Sequence, residues 1–163
     1  YMPTFCDNMD LVISPSRGME KILRQYGVAC HIEVVPNGAD LQPFLSAQPL
    51  SREEFGFNKE DILVVYMGRI APEKNLEFLL QAFAGVSRAV PNTKLLIVGG
   101  GQKEHEEGIK DFANEIGLDD CVKFTGAVAY AKLPSYLSMC DIPSPTGKLV
   151  CSRQTTSPPT PPN

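Results

Sequence analysis

From Asp61 onward, apolar runs of strand length alternate with segments whose apolar residues recur at helical spacing. Ile62 to Met67 is a β-branched, apolar run of the kind buried in a parallel sheet, and it stops at Gly68-Arg69. The chain then turns through Ala71-Pro72 and brings Lys74 to the start of a helical pattern. Asn75 is the expected N-cap, with Leu76, Leu79, Leu80, Phe83 and Val86 on one face and Pro91-Asn92 as the stop. Lys94 to Val98 reads as a second strand and runs into Gly99-Gly100-Gly101. Ile109, Phe112, Ala113 and Ile116 mark a second helical face, ended by Gly117. Cys121 to Thr125 reads as a third strand, closed by Gly126. Leu133-Pro134 opens a short helix through Tyr136, Leu137 and Cys140, and Asp141-Ile142 begins a fourth strand.

The first third is less regular. Asp10 to Ile13 reads as a strand and Ser14-Pro15-Ser16 as a turn into a helix with Met19, Ile22, Leu23 and Tyr26 on one face. Gly27 stops that helix. Ile32 to Val35 alternates like a strand and ends at Pro36-Asn37-Gly38-Ala39-Asp40, a run of turn formers. The segment from Ala39 to Asn58 is expected to be a linker with one helical turn near Ser51 to Phe55, where Ser51 and Glu54 have capping-box spacing. Strand and helix alternate from Asp61, which predicts an α/β, Rossmann-like parallel sheet with right-handed crossovers. In such sheets a ligand sits beyond the carboxyl ends of the strands. Three of those ends carry glycine, at Gly68, at Gly99 to Gly101 and at Gly126.

Composition narrows the chemistry. A formal net charge of −4 without a Lys/Arg-dense stripe argues against nucleic acid as a partner. No apolar run approaches the roughly 20 residues of a transmembrane segment, and Tyr1 to Asp7 lacks the pattern of a signal peptide. Cys6, Cys30, Cys121, Cys140 and Cys151 form no Cys-x-x-Cys pair, and the histidines are His31 and His105. No metal site is expected from that spacing, and reduced thiols suit a cytoplasmic protein.

The strongest candidate chemistry lies at Gly68 to Lys74. A strand, a short loop and a helix N-terminus hold anions well, because peptide N–H groups are unpaired there and the helix dipole favours negative charge. Arg69 offers a planar fork of donors and Lys74 a point charge, so a diphosphate site is expected. Gly99 to Gly101 allow close approach of a sugar or phosphate, or simply make a turn. They are not the dinucleotide fingerprint, since Glu104 stands where the last glycine belongs, and this disfavours a dehydrogenase-like reading. The backbone at Ala127 and Val128 is open enough to read a base edge. Glu73 reads as a first-turn acid favoured by the dipole or as a partner of Lys74. Glu104-His105-Glu106-Glu107 reads as a solvated face. His31 has no triad partner and no carboxylate pair stands out.

Ser14-Pro15-Ser16, Pro36 to Asp40, Gly68-Arg69 with Glu73-Lys74-Asn75, Val98 to Gly101, and Phe124-Thr125-Gly126 with Tyr136 and Cys140-Asp141 occur in order and at characteristic spacing. Together they resemble a retaining glycosyltransferase of family 4, with the two-domain GT-B fold, over about Asp7 to Ile142. The resemblance implies a remnant of the acceptor-side domain at 1–35, an interdomain linker at 36–60, a partial donor-binding domain at 61–142 and an irregular Pro-rich tail at 143–163. It implies a UDP- or GDP-type sugar donor rather than a cofactor, and a lipid or saccharide acceptor in the full-length protein. Arg69 and Lys74 would be the catalytic cations on the diphosphate. Gly68, Gly99, Gly100 and Gly101 would flank the donor, and Ala127 and Val128 would meet the base. The location implied is cytoplasmic, peripheral at the inner membrane face for the full-length protein.

The tail departs from this pattern. The family continues with a Glu-x7-Glu segment, yet Pro143 to Asn163 has six prolines and no acidic residue. The expectation is an interrupted portion of a larger enzyme, inactive alone, with an open strand edge and apolar helix faces that favour self-association. The competing expectation is a non-catalytic α/β binding module on the same scaffold.

Overall fold

The computed structural model describes residues 2–144; the expected irregular tail, with Cys151, lies from residue 145 outside them. The described residues form two compact units, the first up to residue 41 and the second from residue 42.

The first unit contains helix α1 (Met2–Cys6), strand β1 (Val12–Ser14), helix α2 (Arg17–Gln25) and strand β2 (Ile32–Val34), with β1 and β2 paired in parallel. The first strand lies further along than Asp10 to Ile13. Ser14 belongs to it, fully buried, with its hydroxyl donating to the Ser16 carbonyl. Ser16 caps α2, its Oγ accepting from the Met19 N–H at 3.1 Å. Cys6, Val28 and Ile32 are buried together, with Leu23, Val12 and Cys30 against them. The expected apolar face of α2 is therefore only partly used: Leu23 packs, while Met19, Ile22 and Tyr26 stay exposed.

The second unit opens with helix α3 (Gln42–Leu45) and a 3₁₀ turn at Arg52–Phe55. That turn lies where one helical turn was expected, but Ser51 makes no capping bond to the backbone. Its hydroxyl meets the Glu53 carboxylate instead, so the capping box with Glu54 does not form. Strand β3 (Ile62–Met67), helix α4 (Leu76–Ala89), strand β4 (Thr93–Val98), helix α5 (Lys103–Glu115), strand β5 (Val122–Gly126), helix α6 (Leu133–Ser138) and strand β6 (Ile142–Ser144) follow. The sheet order is β5-β4-β3-β6, all parallel. Strand β6 continues through Pro143 and Ser144, which pair with Val65 and Tyr66. The outer position of β6 tolerates Pro143, which has no N–H to give the ladder.

Each face of this sheet has its own core. Leu76, Leu80, Phe83 and Ala84 of α4 and Ala113 of α5 pack on Tyr66, Leu95 and Ile97. Phe57, Tyr136 and Met139 pack on Leu63, Val65, Leu96 and Val98. Val86, expected on the buried face of α4, is exposed because that helix shows the sheet a narrower stripe. The segment before β3 is anchored by Arg52, whose guanidinium donates to the carbonyls of Asp61 at 2.8 Å and Met139 at 2.7 Å. It also donates to Asp141 Oδ1 at 3.0 Å, while Oδ2 accepts from the Leu63 N–H at 2.7 Å.

Candidate nucleotide site

Three strand ends are stitched together before any ligand enters. The Gly68 N–H donates to the Val98 carbonyl, the Ile70 N–H to the Gly100 carbonyl and the Gly99 N–H to the Gly126 carbonyl. The segment after β3 thus runs backbone to backbone against the segment after β4. A Cβ on Gly99 would lie 2.0 Å from the Gly68 oxygen, and one on Gly101 would lie 1.9 Å from the Ile70 oxygen. Glycine at 99 and 101 is set by this contact within the protein, not by approach to a ligand alone.

Beyond the stitched ends lies a cavity of about 410 Å³ lined by Met67, Gly68, Arg69, Val98, Gly99, Gly100, Ala127, Val128 and Leu133. Six of the residues singled out from the sequence therefore meet: Gly68, Arg69, Gly99, Gly100, Ala127 and Val128. Two do not line it. Gly101 faces a neighbouring cavity of about 430 Å³ with Gln102, His105, Glu73 and Arg69, so Arg69 borders both spaces. Lys74 ends a 3₁₀ turn at Pro72–Lys74 that precedes α4, half-buried and without an ion pair among the described residues. A further cavity, about 650 Å³, lies around Arg52, Ser138 and Met139, where the guanidinium is already spent on structural bonds.

The electrostatics differ from expectation in two places. Glu73 pairs with Arg69, Oε1 to Nη2 at 2.7 Å, rather than with Lys74. The Tyr66 hydroxyl donates to the Arg69 carbonyl at 2.7 Å and pins the loop's backbone. Burial, and secondarily the Glu73 charge, push that phenol above its ordinary pKa, so it stays a donor. Asn75 sits at the head of α4 in the left-handed region (φ 49°), and its side chain caps nothing. The N–H groups of that first turn are thus not closed by the Asn75 side chain.

Glu106 escaped the sequence reading, which placed it on a solvated face. Its Oε1 accepts from the Gly101 N–H at 2.6 Å. The only signal was its place in the first turn of α5, five residues after Gly101. Leu133, an apolar wall of the cavity, was read only as a helix start.

A parallel α/β unit of this kind is part of a GT-B glycosyltransferase fold. Residues 47–143 match the family described as "Glycosyl transferases group 1", and residues 1–43 match "Glycosyltransferase Family 4". The chain belongs to the group 1 glycosyltransferase family. Among curated proteins it is 31% identical over 120 residues to a GDP-mannose-dependent alpha-(1-6)-phosphatidylinositol monomannoside mannosyltransferase of Mycolicibacterium smegmatis. That match takes in 72% of this chain and 31% of the relative, so the chain spans about a third of the relative's length. Among solved structures, Anabaena HepE in complex with UDP and glucose superposes with a TM-score of 0.73 at 22% identity, over 86% of this chain and 39% of HepE. Sucrose-phosphate synthase from Thermosynechococcus elongatus gives 0.73 at 26% identity, over 86% of this chain and 36% of the synthase.

Proposed function

We propose that this chain is the donor-binding portion of a retaining glycosyltransferase of family 4 type, which takes its sugar from a UDP- or GDP-linked donor. The convergence of Gly68, Arg69, Gly99, Gly100, Ala127 and Val128 on one cavity carries this reading. Arg69 and Lys74 hold the diphosphate, the open backbone at Ala127 and Val128 meets the base, and the glycine turn lies along the donor. Gly101 contributes to that turn from its far side. In the transfer step, negative charge grows on the departing diphosphate, and two fixed cations lower the energy of that state. The carboxylates expected opposite them are not in this sequence, which has no Asp or Glu after Asp141.

The mannosyltransferase that resembles this chain is named for a GDP-sugar and a phosphatidylinositol glycolipid, and HepE was crystallised with UDP. Those names support a nucleotide-sugar donor and a lipid or saccharide acceptor for the full-length protein; action from the cytoplasm at a membrane face belongs to the same proposal. No helix of the described residues is long and apolar enough to cross a membrane. Outer strands β5 and β6 have one paired edge each among the described residues, which supports self-association.

Calorimetric titration with UDP and with GDP tests the reading. Binding to one of them that disappears in Arg69→Ala and Lys74→Ala is the expected result. A folded protein that gives no heat with either nucleotide leaves the non-catalytic binding module in its place.

A further inference from the structure

The glycine turn that walls the cavity is held by three hydrogen bonds. Two are backbone to backbone, from Gly99 N–H to the Gly126 carbonyl and from Ile70 N–H to the Gly100 carbonyl. The third is the bond from Gly101 N–H to Glu106 Oε1, at 2.6 Å. It is charge-assisted and the only one of the three made by a side chain. The same oxygen lies 2.8 Å from where a Cβ on Gly100 would stand, and Ala127 Cβ lies 3.1 Å from that point on another side. A carboxylate is thus lodged beside Gly100, which lines the cavity, while the guanidinium of Arg69 borders that cavity from the neighbouring strand end. Glu106 does not itself line that cavity, so its charge acts through the turn that it fastens.

We propose that Glu106 is a positioning residue for this cavity: its carboxylate fastens the glycine turn and its charge keeps the donor's diphosphate off that turn. The proposal rests on the nucleotide-sugar reading and adds an orientation to it. An anion at the turn would meet a negative charge and would find the Gly101 N–H already taken. The phosphates therefore sit with Arg69 and Lys74, and the uncharged part of the donor lies along Gly99 and Gly100. This reverses one option left open by the sequence, in which the glycine triplet was itself a phosphate cradle.

Two variants separate the roles of Glu106. Glu106→Gln keeps an acceptor oxygen and removes the charge, whereas Glu106→Ala removes both. Hydrogen exchange at the Gly101 amide, followed by NMR on the ligand-free full chain, reads the fastening. Protection equal in wild type and Glu106→Gln and lost in Glu106→Ala is expected; unchanged protection in Glu106→Ala overturns the fastening. Calorimetry with UDP or GDP, whichever binds, against the matching uncharged nucleoside reads the charge. Glu106→Gln is expected to bind the nucleotide about threefold more tightly with nucleoside affinity unchanged, the effect of deleting one nearby repulsive charge. Equal or weaker nucleotide binding by Glu106→Gln overturns the charge role. A wild type that binds no nucleotide overturns the donor reading and the charge role with it, and the exchange measurement still decides whether Glu106 fastens the turn.

Discussion

The Arg69 guanidinium and the Glu73 carboxylate lie 2.7 Å apart, four residues from each other in the loop after β3. The cation proposed to receive a diphosphate thus meets a carboxylate first. Both side chains are more than half exposed, so the pair contributes little to stability, about 0.3–0.5 kcal/mol. In the proposed donor complex a diphosphate, with more charge and more acceptor oxygens than Glu73, would take the guanidinium over.

Removing the competitor should therefore help binding. Glu73→Gln is expected to tighten nucleotide affinity about twofold, with a melting temperature close to wild type. Arg69→Ala is expected to weaken affinity about tenfold or more, the cost of losing a hydrogen bond between charged groups. Titration of the two variants side by side checks both signs.

The backbone stitching makes a sharper claim about glycine. Gly99→Ala and Gly101→Ala each force a Cβ to within 2.0 and 1.9 Å of a carbonyl oxygen, so the turn must shift. A loss of about 2–3 kcal/mol by denaturant unfolding is expected, with nucleotide binding abolished. Gly108, inside α5 with nothing near its missing Cβ, is the contrast. Gly108→Ala should stabilise by about 0.5–1 kcal/mol.

Arg52 should prove the more important arginine for stability. Its side chain is 19% exposed and its donors satisfy two carbonyls and a carboxylate. Arg52→Ala is expected to cost about 2–4 kcal/mol by urea unfolding.

The same contact gives the second unit an acid sensitivity. Hydrogen bonding from Arg52, then from the Leu63 N–H, holds the Asp141 carboxyl below its ordinary value of 3.8. A group depressed on folding stabilises the native state above its unfolded pKa, and that contribution fades as pH falls below about 3.8. Unfolding midpoints between pH 5 and pH 2 should therefore fall less steeply in Asp141→Asn than in wild type.

The strands and long helices of the second unit were legible because buried parallel strands are continuous apolar runs and α4 and α5 carry their stripes at regular spacing. What escaped depends on contacts between distant residues. Pro143 argued against a strand, yet an outer position excuses it. Asn75 looked like a cap from its residue type, and only the left-handed backbone shows that its side chain does not act as one. Glu106 looked like one acid among several, since nothing local says that α5 folds back on the turn before it. The site was legible in part for the same reason. Glycines at strand ends can be counted in a sequence, but their mutual contact, and the pairing of Arg69 with Glu73 rather than Lys74 with Glu73, belong to the folded chain.

The Arg52 fork also has a bearing on how this protein is made. Arg52 and Asp141 are 89 positions apart. During synthesis the arginine leaves the ribosome long before its carboxylate does, and the first strand waits for its outer neighbour. The second unit makes this contact only once Asp141 has emerged, 89 residues after Arg52, so the contact forms after strands β3 to β5 have been made.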